Sequence, residues 1–191
     1  MRAAVLALIL ALGGCASTPT HIDDVCAVFD QKGGWFNNWY KAAKHSEKEF
    51  GVPVAILMAT IYKESGFQAD ARPPRTKLLG FIPWKRPSSA YGYPQALDGT
   101  WDWYRRETGH GGADRDDFSD AVHFVGWYHY QSHVRNGIPR NDAYNLYLAY
   151  YAGHGGYARG TWKSRPYMKR SAQRAQDMAT RYAVQLERCG R

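Results

Sequence analysis

The chain has 191 residues, about the size of one ordinary domain. Hydrophobic residues make up 45% and charged residues 22%, a balance that excludes a disordered chain and a collagen-like one. The aromatic share of 15% exceeds what a core of this size needs and indicates a surface cleft, where Trp and Tyr contact sugars, bases or peptides. A formal net charge of +8 favours a polyanionic partner: nucleic acid, an anionic membrane or an acidic wall polymer.

The chain begins with a positive residue followed by an apolar run over residues 3–12. This run is shorter than the roughly 20 residues that cross a bilayer, and it has the length of a signal-peptide core. Residues 12–15, Leu-Gly-Gly-Cys, resemble the bacterial lipoprotein box, in which the cysteine is lipidated. The resemblance implies a signal peptide over residues 1–14 and a lipid anchor at Cys15. Because Ala16 rather than Asp follows, it also implies the outer membrane, facing the periplasm. A plain secretory signal is the alternative.

Cys26 and Cys189 are the remaining cysteines, and they lie near the two ends of the mature chain. An even pair in an oxidising compartment predicts a disulfide. Closing so long a loop contributes about 4–5 kcal/mol in the chain-entropy model. Two unpaired thiols are the alternative.

Composition along the chain predicts a short polar tether and then one domain. The lipidated cysteine and the tether occupy residues 15–22, and the domain covers residues 23–191, since no later segment looks like a linker or a repeat. Apolar spacing and helix-end signals predict a mainly α fold. The predicted helices cover residues 35–50, 53–65, 98–108, 117–136 and 141–151, with a last helix that starts near Pro166 and is capped by Ser164.

Residues 66–91 are rich in proline and show no helical period. A stretch of this length inside a compact domain is usually functional, and a small hairpin within residues 78–84 is expected. The stretch is also basic, which suits steering of an anionic polymer, with a solvated loop as the alternative. The candidates for stacking on sugar rings, with core packing as their alternative, are Trp84, Trp101, Trp103 and Trp127.

Glu64 stands out because it ends the apolar helix over residues 53–65 on the same face as Leu57 and Ile61. Burial there disfavours the charged carboxylate and raises its pKa towards the range of a general acid at neutral pH. A glutamate that precedes glycine at a helix end is more often solvated, so the position alone does not establish catalysis.

Three ordered motifs add to that reading. Residues 62–67, Tyr-Lys-Glu-Ser-Gly-Phe, resemble the Glu-Ser motif of soluble lytic transglycosylases, the lysozyme-like enzymes that cut peptidoglycan. Residues 89–96 resemble their Gly-Leu-Met-Gln motif, and residues 149–153 resemble Ala-Tyr-Asn-Ala-Gly. The resemblance implies a lysozyme-like α-helical domain with a long loop or small β-hairpin over the active-site cleft. Tyr and Pro in place of Leu-Met, and Tyr151 in place of Asn, indicate a divergent branch.

The resemblance implies cleavage of the β-1,4 bond between MurNAc and GlcNAc without water, leaving 1,6-anhydro-MurNAc, with Glu64 as the single acid and base. Between Glu64 and Gln95 the only other acidic residue is Asp70, a shortage that favours a one-acid mechanism. Ser65 is expected to contact substrate or to bond at the helix end, and a buried Tyr150 is expected to donate to Glu64. The residues that carry over as substrate-binding are Ser65, Tyr93, Gln95 and Tyr150.

Two alternatives of other classes stay open. One is a hydrolytic lysozyme that uses Asp70 or Asp98 as a second carboxylate, and the other is a non-catalytic wall-binding lipoprotein of the same fold. No cofactor or metal is expected: His129 and His133 stand four residues apart, but Tyr130 occupies the place where a zinc protease has Glu.

The expected partners follow from the leader and the resemblance. They are peptidoglycan strands and the membrane, through the lipid anchor, with wall-synthesis or secretion machinery left open. Nucleic acid is not expected, because an exported protein rarely meets it and no recognised binding motif is present.

Overall fold

The computed structural model describes residues 17–35 and 37–191, and the predicted signal peptide and Cys15 lie outside these residues. Within the described part, the chain forms eight helices and one small antiparallel sheet, which confirms the mainly α fold class. In chain order the elements are α1 (Val25–Gln31), α2 (Trp39–Phe50), α3 (Val54–Ser65), β1 (Lys77–Leu78), β2 (Ile82–Pro83), α4 (Asp98–Thr108), α5 (Phe118–Asn136), α6 (Ala143–Ala152), α7 (His154–Ala158) and α8 (Pro166–Arg188).

Two predicted helix starts differ from the structure in their N-cap residues. The first predicted helix begins at Trp39 because the side chain of Asn38 accepts a hydrogen bond from the amide of Lys41, which fixes the N-terminus. At α8 the first residue is Pro166 as predicted, but Arg165 occupies the cap position without a side-chain bond, so the predicted Ser164 cap is wrong. Neither α1 nor α7 was predicted, since both are too short for an apolar period to emerge.

Helix α3 is the centre of the core and packs against α2, α5 and α8. Leu57, Met58 and Ile61 on this helix are fully buried, as its apolar sequence predicts. The helix ends at Gly66, whose φ of 58° is a left-handed conformation that glycine adopts without strain. The end of α3, and with it Glu64, is therefore fixed by the core on one side and by a turn on the other.

Helices α2 and α5 approach each other closely. A Cβ added at Gly126 would lie 2.2 Å from the hydroxyl oxygen of Ser46, so only glycine fits there. The Ser46 hydroxyl donates to the carbonyl of Val122 at 3.0 Å. At the N-terminal ends of the two helices, the rings of Trp39 and Phe118 stack with centroids 3.8 Å apart. This helix pair is a rigid unit of the core.

The predicted hairpin is present in the proline-rich segment. Lys77 pairs with Pro83 and Leu78 with Ile82, and all four residues are exposed. The hairpin thus projects from the helical body.

The segment predicted as a tether is packed against the domain from residue 17 onward. Pro19 is buried, and both the amide and the hydroxyl of Thr20 bond the side chain of Gln31 on α1. The hydroxyl of Tyr182 on α8 donates to the carbonyl of Ile22. The described part of the predicted tether, residues 17–22, therefore contacts the domain. Among the described residues, no helix combines the length and apolarity needed to cross a bilayer.

The predicted disulfide between Cys26 and Cys189 is present, and it joins α1 to the end of α8 across 163 residues. The same two helices are also held by Gln185, whose side chain accepts from the amide of Val25 at 2.9 Å and donates to the carbonyl of Asp23 at 3.0 Å. The disulfide therefore reinforces contacts that exist without it.

Replacing both cysteines, Cys26→Ala and Cys189→Ala together, should lower the free energy of unfolding by about 3–5 kcal/mol, because the unfolded chain regains the freedom of the open loop. Urea unfolding followed by circular dichroism measures this. The oxidised wild type treated with a reductant should match the double variant, and equal midpoints for the oxidised wild type and the double variant would contradict the prediction.

Candidate active site

Glu64 lies in the last turn of α3 at the floor of a surface groove. Burial of the carboxyl raises its pKa from an ordinary 4.5 to about 7, since the charged form loses its water. A hydrogen bond from the Tyr147 hydroxyl and the charge of Lys63 lower the pKa, but desolvation is the largest effect. The carboxyl therefore exchanges a proton with its surroundings near neutral pH.

Tyr147 on α6 is the hydrogen-bond partner of Glu64, and sequence reasoning missed it. Its side chain is buried, and its hydroxyl stays protonated because burial and the neighbouring Glu64 raise its pKa far above the ordinary value. The signal that could have found it is helical spacing: Tyr147 precedes Tyr150 by three residues and Tyr151 by four, so all three lie on one face of α6.

Tyr150, the residue expected to donate to Glu64, has a different partner. Its hydroxyl donates to the carbonyl of Pro94 at 2.5 Å, so the donor to Glu64 is Tyr147 instead. The Tyr150–Pro94 bond connects α6 to the segment that carries the second motif. Tyr150 thus lines the groove while it also holds the two walls together.

The groove consists of two adjoining depressions, of about 380 Å³ around Glu64 and about 250 Å³ beside it. Four residues line both depressions, which makes them one continuous surface: Gln95, Leu97, Tyr150 and Tyr151. The part around Glu64 also includes Ser88 and Ala90 from the end of the proline-rich segment. The second and third motifs therefore form the two walls of the groove, with Glu64 between them.

Gln95 is held in a constrained position at the groove. Its backbone has a φ of 49°, in the left-handed region that non-glycine residues rarely adopt. Its side-chain amide donates to the carbonyls of Ala71 and Gly92, both at 2.8 Å. Within the described residues its amide oxygen accepts no hydrogen bond, so this oxygen is available to a donor in the groove.

The structure does not place Tyr93 or Ser65 in the lining of the groove. Tyr93 is 2% exposed and packs edge-on against Trp39 and Phe118, with ring centroids 5.5 and 5.6 Å away. The hydroxyl of Ser65 donates to the carbonyl of Ile61 at 3.3 Å, one turn back in α3, which is the helix-end role that the sequence also allowed. Both residues are structural because their polar or aromatic groups are already used within the core.

The tryptophans expected to stack on sugar mostly belong to the core. Trp101 and Trp127 are buried, and Trp103 packs partly buried against the ring of Trp127. Trp84, on the hairpin, is 49% exposed. The rings that line the groove itself come from other positions: Phe124, Tyr128, Tyr150 and Tyr151.

The two histidines considered for a metal pair point to separate partners. His129 is fully buried, and its Nε2 lies 2.9 Å from the hydroxyl of Thr60, which itself donates to a backbone carbonyl. His129 therefore donates through Nε2, and burial lowers its pKa to about 3. His133 bonds the carbonyl of Ile138 through Nδ1 at 2.8 Å.

Glu64 is the only acidic residue among those that line the two depressions. Asp98 forms an ion pair with Arg115 at 2.8 Å and lies outside the lining, and Asp70 is exposed and also outside it. The groove therefore offers one carboxyl group that can hold a proton.

The half-buried carboxyl of Glu64 should make stability depend on pH in a way that Glu64→Gln removes. A carboxyl whose pKa is raised in the folded state favours folding while it is protonated, and this advantage is lost as pH rises towards the folded value. We expect the unfolding free energy of Glu64→Gln, relative to wild type, to grow by up to about 3 kcal/mol between pH 4.5 and pH 7 and then to level off.

Urea unfolding of both proteins at several pH values measures this difference, with the exposed Glu107→Gln as the matched control. A difference that does not change with pH would contradict a raised pKa of the Glu64 carboxyl.

The sequence was compared with models of known protein families and with curated proteins. A family profile described as "Transglycosylase SLT domain" matches residues 3–189, nearly the entire chain. A comparison with curated proteins finds no match. The chain therefore belongs to the transglycosylase SLT family, whose members are peptidoglycan lytic transglycosylases that act on the cell wall.

Proposed function

We propose that this protein cleaves the β-1,4 bond between MurNAc and GlcNAc without consuming water and leaves a 1,6-anhydro-MurNAc end. The observation that carries the proposal is the single carboxyl of Glu64, desolvated at the floor of a groove in which no second acidic residue takes part. A reaction without water needs one group that first gives a proton and then takes one back.

In the first step, protonated Glu64 donates its proton to the glycosidic oxygen, and the bond from this oxygen to C1 of MurNAc breaks with the electron pair leaving on oxygen. Because the pKa of Glu64 is about 7, this carboxyl is protonated in a large fraction of the molecules at neutral pH. The positive charge that develops at C1 is supported by the N-acetyl group of the substrate.

In the second step, the Glu64 carboxylate accepts the proton of the MurNAc 6-hydroxyl while that oxygen bonds to C1. The ring closes as the 1,6-anhydro sugar, and Glu64 is protonated again. The two proton transfers cancel, so the reaction neither consumes nor releases water.

Tyr147 supports the charged state between these steps. Its hydroxyl donates to the Glu64 carboxyl, and this bond is strongest when the carboxylate is negative. Desolvation keeps the Glu64 carboxyl protonated for the first step. The Tyr147 hydrogen bond stabilises the carboxylate that this step leaves behind.

Substrate binding is proposed for Gln95, Tyr150 and Tyr151, which line the groove beside Glu64. The free amide oxygen of Gln95 can accept from a sugar hydroxyl or an acetamido N–H. The half-exposed ring of Tyr151 offers a flat surface to a sugar face.

The basic hairpin is proposed to guide the polymer to the groove. Lys77 and Lys85 are exposed on it, and the chain enters the groove wall at Ser88 directly afterwards. The stem peptides of peptidoglycan carry carboxylates, so a cationic projection at this end attracts the strand. Lipidation at Cys15 and an outer-membrane location, facing the periplasm, belong to the same proposal and rest on the leader sequence alone.

The hydrolytic alternative has less support from the geometry. A lysozyme that activates water uses a second carboxylate across the sugar from the acid. The two candidates, Asp70 and Asp98, are exposed and lie outside the groove lining, and Asp98 is paired with Arg115. A wall-binding protein without activity would not need a carboxyl group whose pKa lies near neutral pH.

Digestion of purified sacculi tests the reaction and its catalyst together. Wild type should release fragments whose MurNAc ends are one water lighter than reducing ends, as mass spectrometry shows. Glu64→Gln should release them at least about 10³-fold more slowly while still binding sacculi, because it removes the acid and base.

The control for this assay is Glu107→Gln, an exposed glutamate on α4. Fragments with reducing ends would establish a hydrolase instead. Wild-type release by Glu64→Gln would remove Glu64 from the mechanism.

Tyr147→Phe should shift the pH dependence of cleavage. The variant loses the bond that lowers the pKa of Glu64, so the acid stays protonated to higher pH and the alkaline limb of kcat/KM moves upward from near pH 7. Turnover should fall about tenfold, because the carboxylate formed in the first step is less stabilised.

Tyr144→Phe, on the same helix, is the matched control and should leave the limb in place, since Tyr144 is not among the groups that shift the pKa of Glu64. A downward shift of the limb in Tyr147→Phe would show that Tyr147 acts on the pKa in the opposite direction.

A further inference from the structure

A second cluster of chemically active side chains lies between α2 and α5. His45 and Glu49 are one turn apart on α2, and His123 faces them from α5. Glu49 Oε2 lies 3.1 Å from His123 Nε2 and 4.0 Å from His45 Nδ1. One ligand atom from each of the three residues falls within 4.8 Å of the others, and within the described part of the chain no other group of three or more such residues is arranged in this way.

The spacing of these atoms is close to that of a metal site. In a tetrahedral Zn²⁺ site with ligands at about 2.0–2.1 Å, neighbouring donor atoms lie roughly 3.3 Å apart. The Glu49–His123 distance already agrees. His45 is exposed along most of its side chain, so a small rotation brings its ring to the same distance.

The buried ligand is oriented by a further hydrogen bond. His123 Nδ1 lies 2.8 Å from the hydroxyl of Tyr104 in the core. Without a metal, Nε2–H of His123 donates to the Glu49 carboxylate, and Nδ1 accepts from the Tyr104 hydroxyl. A metal ion at Nε2 takes the place of this hydrogen, and Nδ1–H then donates to the Tyr104 hydroxyl. Histidine ligands in metal sites commonly have their second nitrogen bonded in this way, since the bond fixes both the tautomer and the ring plane.

The helices that carry the three residues are rigid around the cluster. The bond from Ser46 to the carbonyl of Val122, next to the cluster, and the close approach at Gly126, one turn from His123, hold α2 against α5. The ligands are therefore brought together by the core itself, and little order has to be gained on binding.

His45 and His123 of the cluster line a separate depression of about 390 Å³, which shares no lining residue with the catalytic groove. His110, whose ring centre is 4.5 Å from that of His123, and Asp120 stand at its rim. Solvent reaches the cluster from this side, so water can complete the coordination.

We propose that His45, Glu49 and His123 bind a divalent transition metal of the Zn²⁺ class, with water in the remaining position. Two imidazoles and one carboxylate favour such an ion over Mg²⁺ or Ca²⁺, which take oxygen ligands. The metal links α2 to α5 and stabilises the fold. The inference does not depend on the proposed reaction, because none of the three residues lines the groove.

Calorimetric titration of the full, metal-stripped chain with Zn²⁺ tests this. We expect one ion per chain, and a melting temperature raised by roughly 5–10 °C when free Zn²⁺ is about a hundred times the dissociation constant. With Co²⁺ as probe, the visible absorption of a low-coordinate ion should appear in wild type and be absent from His45→Gln.

His45→Gln and Glu49→Gln should each weaken Zn²⁺ binding at least about tenfold. Both side chains are exposed, so the metal-free variants should melt like metal-free wild type. His21→Gln, at an exposed histidine whose ring bonds only the hydroxyl of Thr20, is the matched control and should bind as wild type does.

The absence of saturable Zn²⁺ binding by wild type would overturn the proposal. It would also be overturned if His45→Gln and Glu49→Gln bind as tightly as wild type, or if His21→Gln loses the site to the same extent.

Discussion

The partial loss of water from the Glu64 carboxyl is the constraint on which the catalytic groove depends. It follows from the position of α3, whose apolar residues fill the centre of the domain, so that the last turn places a carboxyl against the core. Desolvation raises the pKa, while Tyr147 and Lys63 lower it, and the larger effect leaves the group near neutrality. A carboxyl balanced in this way suits a reaction in which the same atoms must give and then take a proton.

The departures from the family motifs have structural consequences that do not disturb this balance. Pro94 has no backbone N–H to offer a substrate, but its carbonyl accepts the hydroxyl of Tyr150 and so ties the two groove walls together. Tyr93 turns into the core, where its ring packs against Trp39 and Phe118. The second motif of this branch thus anchors the wall from inside and leaves Gln95 to face the groove.

The sequence predicted what depends on local order and missed what depends on contacts between distant segments. Apolar spacing gave the central helix and drew attention to Glu64, and proline and glycine signals gave the hairpin and most helix ends. Cysteine arithmetic gave the disulfide. Tyr147 was missed because its role comes from the approach of its side chain to Glu64, which is distant in sequence. Tyr93 was misassigned because a motif does not show which way a ring turns. The histidine cluster between α2 and α5 was invisible for the same reason, since His123 is far from His45 in the chain.

The interior behind the groove supports the protonation of Glu64 by remaining uncharged. Thr60 lies one turn before Glu64 on α3 and accepts a hydrogen bond from His129, whose own pKa is lowered to about 3 by burial. A protonated imidazole at this depth would favour the carboxylate and lower the pKa of Glu64. The same loss of water that keeps the acid protonated keeps the base neutral, so the two effects reinforce each other. The hydrophobic packing of α3 and α5 therefore keeps Glu64 protonated for bond cleavage, as much as any residue that touches the substrate does.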